Sequence, residues 1–152
     1  MSARTPTSTP GPPDPFVFLV DTNVVSEARK GTRVNPGVRD FFTRTDPAAL
    51  YLAAPTIGEL RRGVEILRLR GDGPQAKALE AWLNLIVTDY SDRILAFDTD
   101  CAQVWGRLMA PNPHHPIDKQ IAAIALIHGL EVVTRNTEDF VGTGAVVSDP
   151  FV

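Results

Sequence analysis

The sequence predicts an α/β protein, a three-layer α/β/α sandwich around a mostly parallel sheet. Three observations predict it. Short apolar runs alternate with segments of helical periodicity along the chain. The first run, residues 16–20 (FVFLV), is apolar on both faces, as a strand buried inside a parallel sheet must be. Asp21 follows it directly, at the strand end where parallel α/β sheets place their ligands.

Bulk properties narrow the class. At 152 residues the chain has the size of one domain, long enough to bury a core. Hydrophobic residues at 43% and charged residues at 22% are ordinary for a soluble protein. No apolar run approaches the roughly 20 residues that span a bilayer. Residues 1–15 contain five prolines and no apolar core, so they read as a disordered tail and not a secretory signal. The folded domain is expected over 16–152. One cysteine, Cys101, excludes an internal disulfide framework, fits a reducing cytoplasm and reads as a small core residue. A net charge of −3 argues against broad electrostatic adhesion to nucleic acid or membrane. Local basic clusters remain available, and twelve of the fifteen basic residues are Arg, whose fork matches phosphate.

The elements follow in order. Strand 1 (16–20) leads into a helix over 22–29, stopped at Lys30-Gly31. Asn35-Pro36 starts a second helix with proline at its first position and Val38, Phe41 and Phe42 on one face; Asp46-Pro47 breaks it. Residues 50–54 form a strand. A third helix is expected to open at Pro55-Thr56, with Thr56 as N-cap and Glu59 three residues on, the capping-box spacing. Ile57, Leu60, Val64 and Leu67 carry its apolar face. After the turn at 71–74 a helix over 75–88 presents Ala78, Leu79, Trp82, Leu85 and Ile86, completing a helical hairpin. Residues 93–98 form a strand ending in Asp98, then a helix covers 99–110 with Ala102, Trp105 and Leu108 inward. The segment PNPHHP (111–116) has too many prolines for regular structure. Ile117-Asp118 opens a helix with Ile121, Ala122, Ile124 and Ala125 on its apolar face and Gly129 as its stop. Residues 131–134 form a strand, 135–140 a polar loop and 145–147 a short last strand. No internal repeat is visible.

This layout sends several acids to one edge. Asp21 follows strand 1. Glu59 and Asp118 lie in the first turns of their helices, Asp139 lies just past the strand at 131–134, and Asp98 ends its own strand. Each also has a structural reading: Glu59 in a capping box, Asp118 favouring a helix dipole, Asp98 as an N-cap. Carboxylates gathered at one place repel unless a cation neutralises them. Oxygen-only clusters select hard divalent ions such as Mg²⁺ or Mn²⁺, which suit phosphodiester hydrolysis. His114-His115 reads as a solvated loop pair, as groups supporting the metal's ligands or as contacts to RNA, and His128 as a helix C-terminal cation.

These residues carry a family resemblance. The segments 19–27 (LVDTNVVSE), 56–63 (TIGELRRG), 118–130 (DKQIAAIALIHGL) and 132–140 (VVTRNTEDF) resemble, in order, the four acidic motifs of PIN domains, and together they span about 16–150. The nearest type resembles VapC or FitB toxins of type II toxin–antitoxin pairs. The resemblance implies a Mg²⁺- or Mn²⁺-dependent endoribonuclease with Asp21, Glu59, Asp118 and a fourth acid at the metal. It further implies an RNA substrate, a homodimer, and an antitoxin whose C-terminal segment blocks the site and through which alone operator DNA is reached. In some relatives the fourth acid stands where this chain has Asn136, and Asp139 is the nearer carboxylate. Ile117 replaces the small residue usual before the third acid.

On this reading Asp21 and Asp118 hold the metal directly, while Glu59 and Asp139 act through water or a second ion. Thr22 and Thr134 contact a metal-bound water or phosphate, or serve as cap and strand residues. Arg61, Arg62, Arg68 and Arg70 guide RNA or form a solvated helix face; Arg135 binds phosphate or balances charge. The apolar hairpin suggests a second copy or the antitoxin as partner. The rival readings are a catalytically weak PIN-like RNA- or protein-binding module, which Asn136 permits, and a different carboxylate–metal protein. An Asp-nucleophile phosphatase would need a second Asp where Asn23 stands, and a receiver domain would need paired acids that this sequence lacks.

Overall fold

The computed structural model describes residues 17–152. The expected tail over 1–15 lies outside the described residues. Five strands, β1 (Phe18–Val20), β2 (Leu50–Ala53), β3 (Ile94–Leu95), β4 (Glu131–Val133) and β5 (Val147–Ser148), form one sheet in the order β3-β2-β1-β4-β5. Every pairing is parallel. Six helices connect them: α1 (Thr22–Ala28), α2 (Pro36–Arg44), α3 (Ala54–Leu69), α4 (Gly73–Asp89), α5 (Thr99–Met109) and α6 (Pro116–His128).

Alternation along the strands divides the core into two layers. Val20, Leu50, Leu52 and Val133 face one side, where Val24, Val38, Phe41, Leu60, Val64 and Leu83 of α1–α4 cover them. Leu19, Tyr51, Ala53 and Val132 face the other, against Cys101 of α5 and Ile121, Ala122, Ile124 and Ala125 of α6. Both faces are therefore buried, which accounts for the uninterrupted apolar character of β1. The chain winds one way from β1 to β2 and β3, then crosses back to lay β4 on the other side of β1. The sheet thus has its switch point at the carboxyl ends of β1 and β4, the place where open α/β sheets leave a crevice.

Two local expectations are corrected. Helix α3 starts at Ala54, with Ala53 as a cap that makes no side-chain bond. Pro55 sits in its first turn, where the missing N–H has no intrahelical partner to lose. Thr56 is therefore inside the helix, fully buried with an unpaired hydroxyl, and no capping box forms. Helix α4 starts at Gly73, where Asp72 caps it by accepting the Gln75 N–H at 3.1 Å. Of its expected face, Leu79, Trp82 and Ile86 pack against the core, whereas Ala78 is exposed and Leu85 is 62% exposed; Ala76 and Leu83 are the fully buried residues. Asp98 does cap α5, accepting the Cys101 N–H at 3.0 Å. Gly129 stops α6 with φ of 66°, the left-handed turn only glycine takes freely. Among the described residues no helix is long and apolar enough to cross a membrane.

Candidate active site

Asp21 stands at the switch point, only 2% exposed. Its backbone N–H donates to the Val133 carbonyl at 2.9 Å, and its own carbonyl starts α1 by accepting from Val24 and Val25. Both carboxylate oxygens are held: Oδ1 accepts the Thr22 N–H at 2.7 Å and Oδ2 accepts the Thr134 hydroxyl at 2.8 Å. Burial pushes this carboxyl above the ordinary range. The bonds from Thr134 and Thr22 oppose the rise, and the charges of Glu59 and Asp139 add to it.

Glu59 arrives on the second turn of α3. Released from any capping role, its Oε1 accepts the Thr22 hydroxyl at 2.6 Å, which ties α3 to the start of α1. Asp118 is the third residue of α6, in the first turn, where the helix dipole favours an acid. Its carboxyl is nevertheless pushed up to about 7. Burial is the main cause, followed by the charge of Asp21, the charge of Asp139, a hydrogen bond to Asp139, and the charge of Glu59. Asp139 lies in the 3₁₀ turn Thr137–Phe140 beyond β4. The four predicted carboxylates thus share one electrostatic neighbourhood. The raised Asp118 carboxyl is the mark of their repulsion, which a bound cation would relieve. An oxygen-rich donor set under such repulsion fits a divalent ion.

Asp98 does not join them; its cap bond to Cys101 lowers its pKa. Asn136 is exposed; its backbone N–H donates to the Thr134 hydroxyl at 3.0 Å and its backbone carbonyl accepts the Asp139 N–H at 3.0 Å. Thr22 and Thr134 both act on the acids themselves. Arg61 and Arg68 are engaged in the hairpin, pairing with Glu80 and Glu65, whereas Arg62 and Arg70 are exposed. The Arg135 guanidinium stacks over the Phe151 ring at 4.6 Å.

Two residues of the site escaped the sequence reading, and the structure decides among the alternatives at a third, His115. Asn23 braces the β4 end: its Oδ1 accepts the Arg135 N–H at 3.1 Å, and its amide lies 3.4 Å from the Thr134 hydroxyl. Lys119 is buried, and its ammonium donates to the His114 carbonyl. His115 is the member of the loop pair that reaches the acids, with its side chain half exposed. Its Nε2 lies 3.4 Å from Asp139 Oδ1, and donor atoms of His115, Asp118 and Asp139 all lie within 4.8 Å of one another. The available signal was its position three residues before Asp118, one turn away on the same side of a helix start.

Comparison with known proteins agrees with this fold. The family model described as the PIN domain matches residues 18–144. Toxin FitB of Neisseria gonorrhoeae is 31% identical over 141 residues, covering 89% of this chain and 99% of that protein. VapC ribonuclease Y4jK of Sinorhizobium fredii is 29% identical over 144 residues, covering 89% of this chain and 98% of its own length. The solved structure of FitAB bound to a DNA fragment superposes with a TM-score of 0.77 at 29% identity, covering 88% of this chain and 95% of that one.

Proposed function

Because this chain belongs to the PIN-domain family, we propose that it is a metal-dependent endoribonuclease and the toxin of a type II toxin–antitoxin pair. The observation that carries the nuclease reading is the convergence of Asp21, Glu59, Asp118 and Asp139, strong enough to push Asp118 up to about 7. Asp21 and Asp118 are the residues that would hold the ion, with Glu59 and Asp139 acting through water or a second ion. Bound there, Mg²⁺ or Mn²⁺ supplies a Lewis acid for the scissile phosphate and a more acidic water. The protein's own part is positional. Thr134 and the Thr22 N–H fix the Asp21 carboxylate, the Thr22 hydroxyl fixes Glu59, and the first turn of α6 presents Asp118 beside them.

The partners follow from the same reading: RNA as substrate, a second copy of the chain, and a cognate antitoxin through which operator DNA is reached, all in the cytoplasm. The relatives named as the toxin FitB and a VapC ribonuclease support it. So do Leu69 and Leu85, which leave an apolar surface on the hairpin at 88% and 62% exposure.

The deciding experiment is cleavage of structured RNA with Mg²⁺ or Mn²⁺, comparing the wild type with Asp21→Asn and Asp118→Asn. The wild type should cut and both variants should lose most activity. A wild type that is inert once freed of antitoxin, or variants that cut equally well, would leave a non-catalytic binding module as the better description. Growth arrest on expression, relieved by a co-expressed antitoxin, tests the toxin role separately.

A further inference from the structure

We propose that His115 is a nitrogen ligand to the metal at this site, making it a mixed nitrogen–oxygen centre that prefers a first-row transition ion such as Mn²⁺ to Mg²⁺. The inference rests on the metal-site reading above, goes beyond the four acids, and moves Asp139 from action through water to direct ligation beside Asp118. The geometry is that of a ligand trio: one donor atom each from His115, Asp118 and Asp139, all within 4.8 Å of one another. With bonds of about 2.0–2.2 Å, two donors on one ion stand at most about 4.4 Å apart. Small side-chain adjustments therefore bring all three onto one centre.

The chain commits itself to this placement of the imidazole. His115 adopts φ 56° and ψ 58°, the left-handed region, directly before Pro116. A β-carbon is disfavoured there, and a following proline disfavours α-type backbone further. The loop that holds it is fastened on several sides. The buried Lys119 ammonium donates to the His114 carbonyl, Asn112 Oδ1 accepts the His114 N–H at 3.2 Å, and the Trp105 indole N–H donates to the Pro116 carbonyl at 3.0 Å. Lys119 thus spends its ammonium on the loop. The imidazole ends over Asp139, with its side chain half exposed and open to an incoming ion.

A nitrogen donor changes the choice of metal. Mg²⁺ takes oxygen ligands and keeps its waters, whereas first-row transition ions accept imidazole, with affinity rising from Mn²⁺ along the series. Mn²⁺ is the weakest of them and so gives the most stringent test.

The test is pulsed electron paramagnetic resonance of Mn²⁺ bound to the full chain, with Mn²⁺ and Mg²⁺ affinities from titration calorimetry. The wild-type spectrum should show hyperfine coupling to an imidazole nitrogen. His115→Gln should abolish that coupling and weaken Mn²⁺ binding about tenfold or more, while Mg²⁺ binding changes far less. His114→Gln should keep both. Wild-type protein that binds Mn²⁺ with no nitrogen coupling overturns the proposal and leaves the acidic site intact, as does a His115→Gln variant that loses both ions equally. If the glutamine variant does not fold, the wild-type spectrum alone decides. Wild type that binds neither ion, or Asp118→Asn that binds both as tightly, overturns the metal-site reading itself.

Discussion

The hydroxyl of Thr134 reaches across the sheet to donate a 2.8 Å hydrogen bond to Oδ2 of Asp21, in a buried setting. The two residues are neighbours because Val20 pairs with Val133 in the parallel register of β1 and β4, so each is the first residue past its strand. Thr134 can aim its hydroxyl there because its oxygen also accepts from the Asn136 N–H at 3.0 Å, leaving its one proton for Asp21.

Thr134→Val keeps the shape and removes the proton. The buried Asp21 oxygen then lacks its donor, at a cost of about 1–3 kcal/mol. Losing an orienting partner of a ligand typically costs about 10–100-fold in metal affinity. Urea unfolding should show the first and calorimetric Mn²⁺ titration the second, with Thr134→Ser restoring most of both. Unchanged metal affinity in the valine variant would remove Thr134 from the site.

Much of this was legible beforehand. The both-faces-apolar run before Asp21, the strand–helix alternation and the order of the acids suffice for the fold and for Asp21, Glu59, Asp118 and Asp139 as candidates. What escaped depends on placement that periodicity does not carry. Thr56 looked like an N-cap because Pro55 was read as preceding the helix, yet a proline is equally at home inside a first turn. His115 owes its place to a left-handed backbone and to Lys119, a contact no local pattern announces. The expected face of α4 holds at Leu79, Trp82 and Ile86, which pack against the core, but its margin shifts: Ala76 and Leu83 are buried and Ala78 and Leu85 are not, because leucines and alanines are spread around the helix and α3 sets the buried side.

That shift at the margin of the face is testable at two leucines. Leu83 is 2% exposed and packs in the cluster that α3 and α4 build over the sheet, so Leu83→Ala should cost about 2–5 kcal/mol. Leu85→Ala, on the outer side, should stay within about 0.5 kcal/mol. Denaturant midpoints at equal slope decide it, and equal losses at the two positions would return Leu85 to the buried face.

The metal-free protein should lose stability as pH rises from about 5.5 to 8. Asp118 has its folded pKa raised to about 7 from the ordinary 3.8. The folded state therefore holds a proton that the unfolded chain has already released. Its contribution is complete below the unfolded value and disappears as pH rises through the folded one. Asp98, Glu27 and Glu80 are shifted downward, so they are ionised in both states across this window and add no slope. Thermal melts in chelator should fall toward pH 8. Asp118→Asn should flatten the trend, and Mn²⁺ at pH 8 should restore the lost stability by binding only the folded form. A flat or rising trend for the wild type would contradict the raised carboxyl.

The last question at this edge is which residue closes the acidic ring opposite Asp21. Asp139 lies within ligand reach of Asp118 and adds to the repulsion that raises both Asp118 and Asp21. Asn136 is exposed and ties into Thr134 by its backbone N–H, a bond that survives truncation of the side chain. Asp139→Ala should therefore weaken Mn²⁺ binding, about 10-fold or more by the usual scale for a supporting ligand. In the same metal-free protein it should return the Asp118 carboxyl toward the ordinary range, because one of its repelling neighbours is gone. Asn136→Ala should change neither. Calorimetry measures the affinity, and the carboxyl carbon shift of Asp118 followed by NMR across pH measures the second effect. Loss of metal binding in Asn136→Ala with none in Asp139→Ala would reverse the assignment.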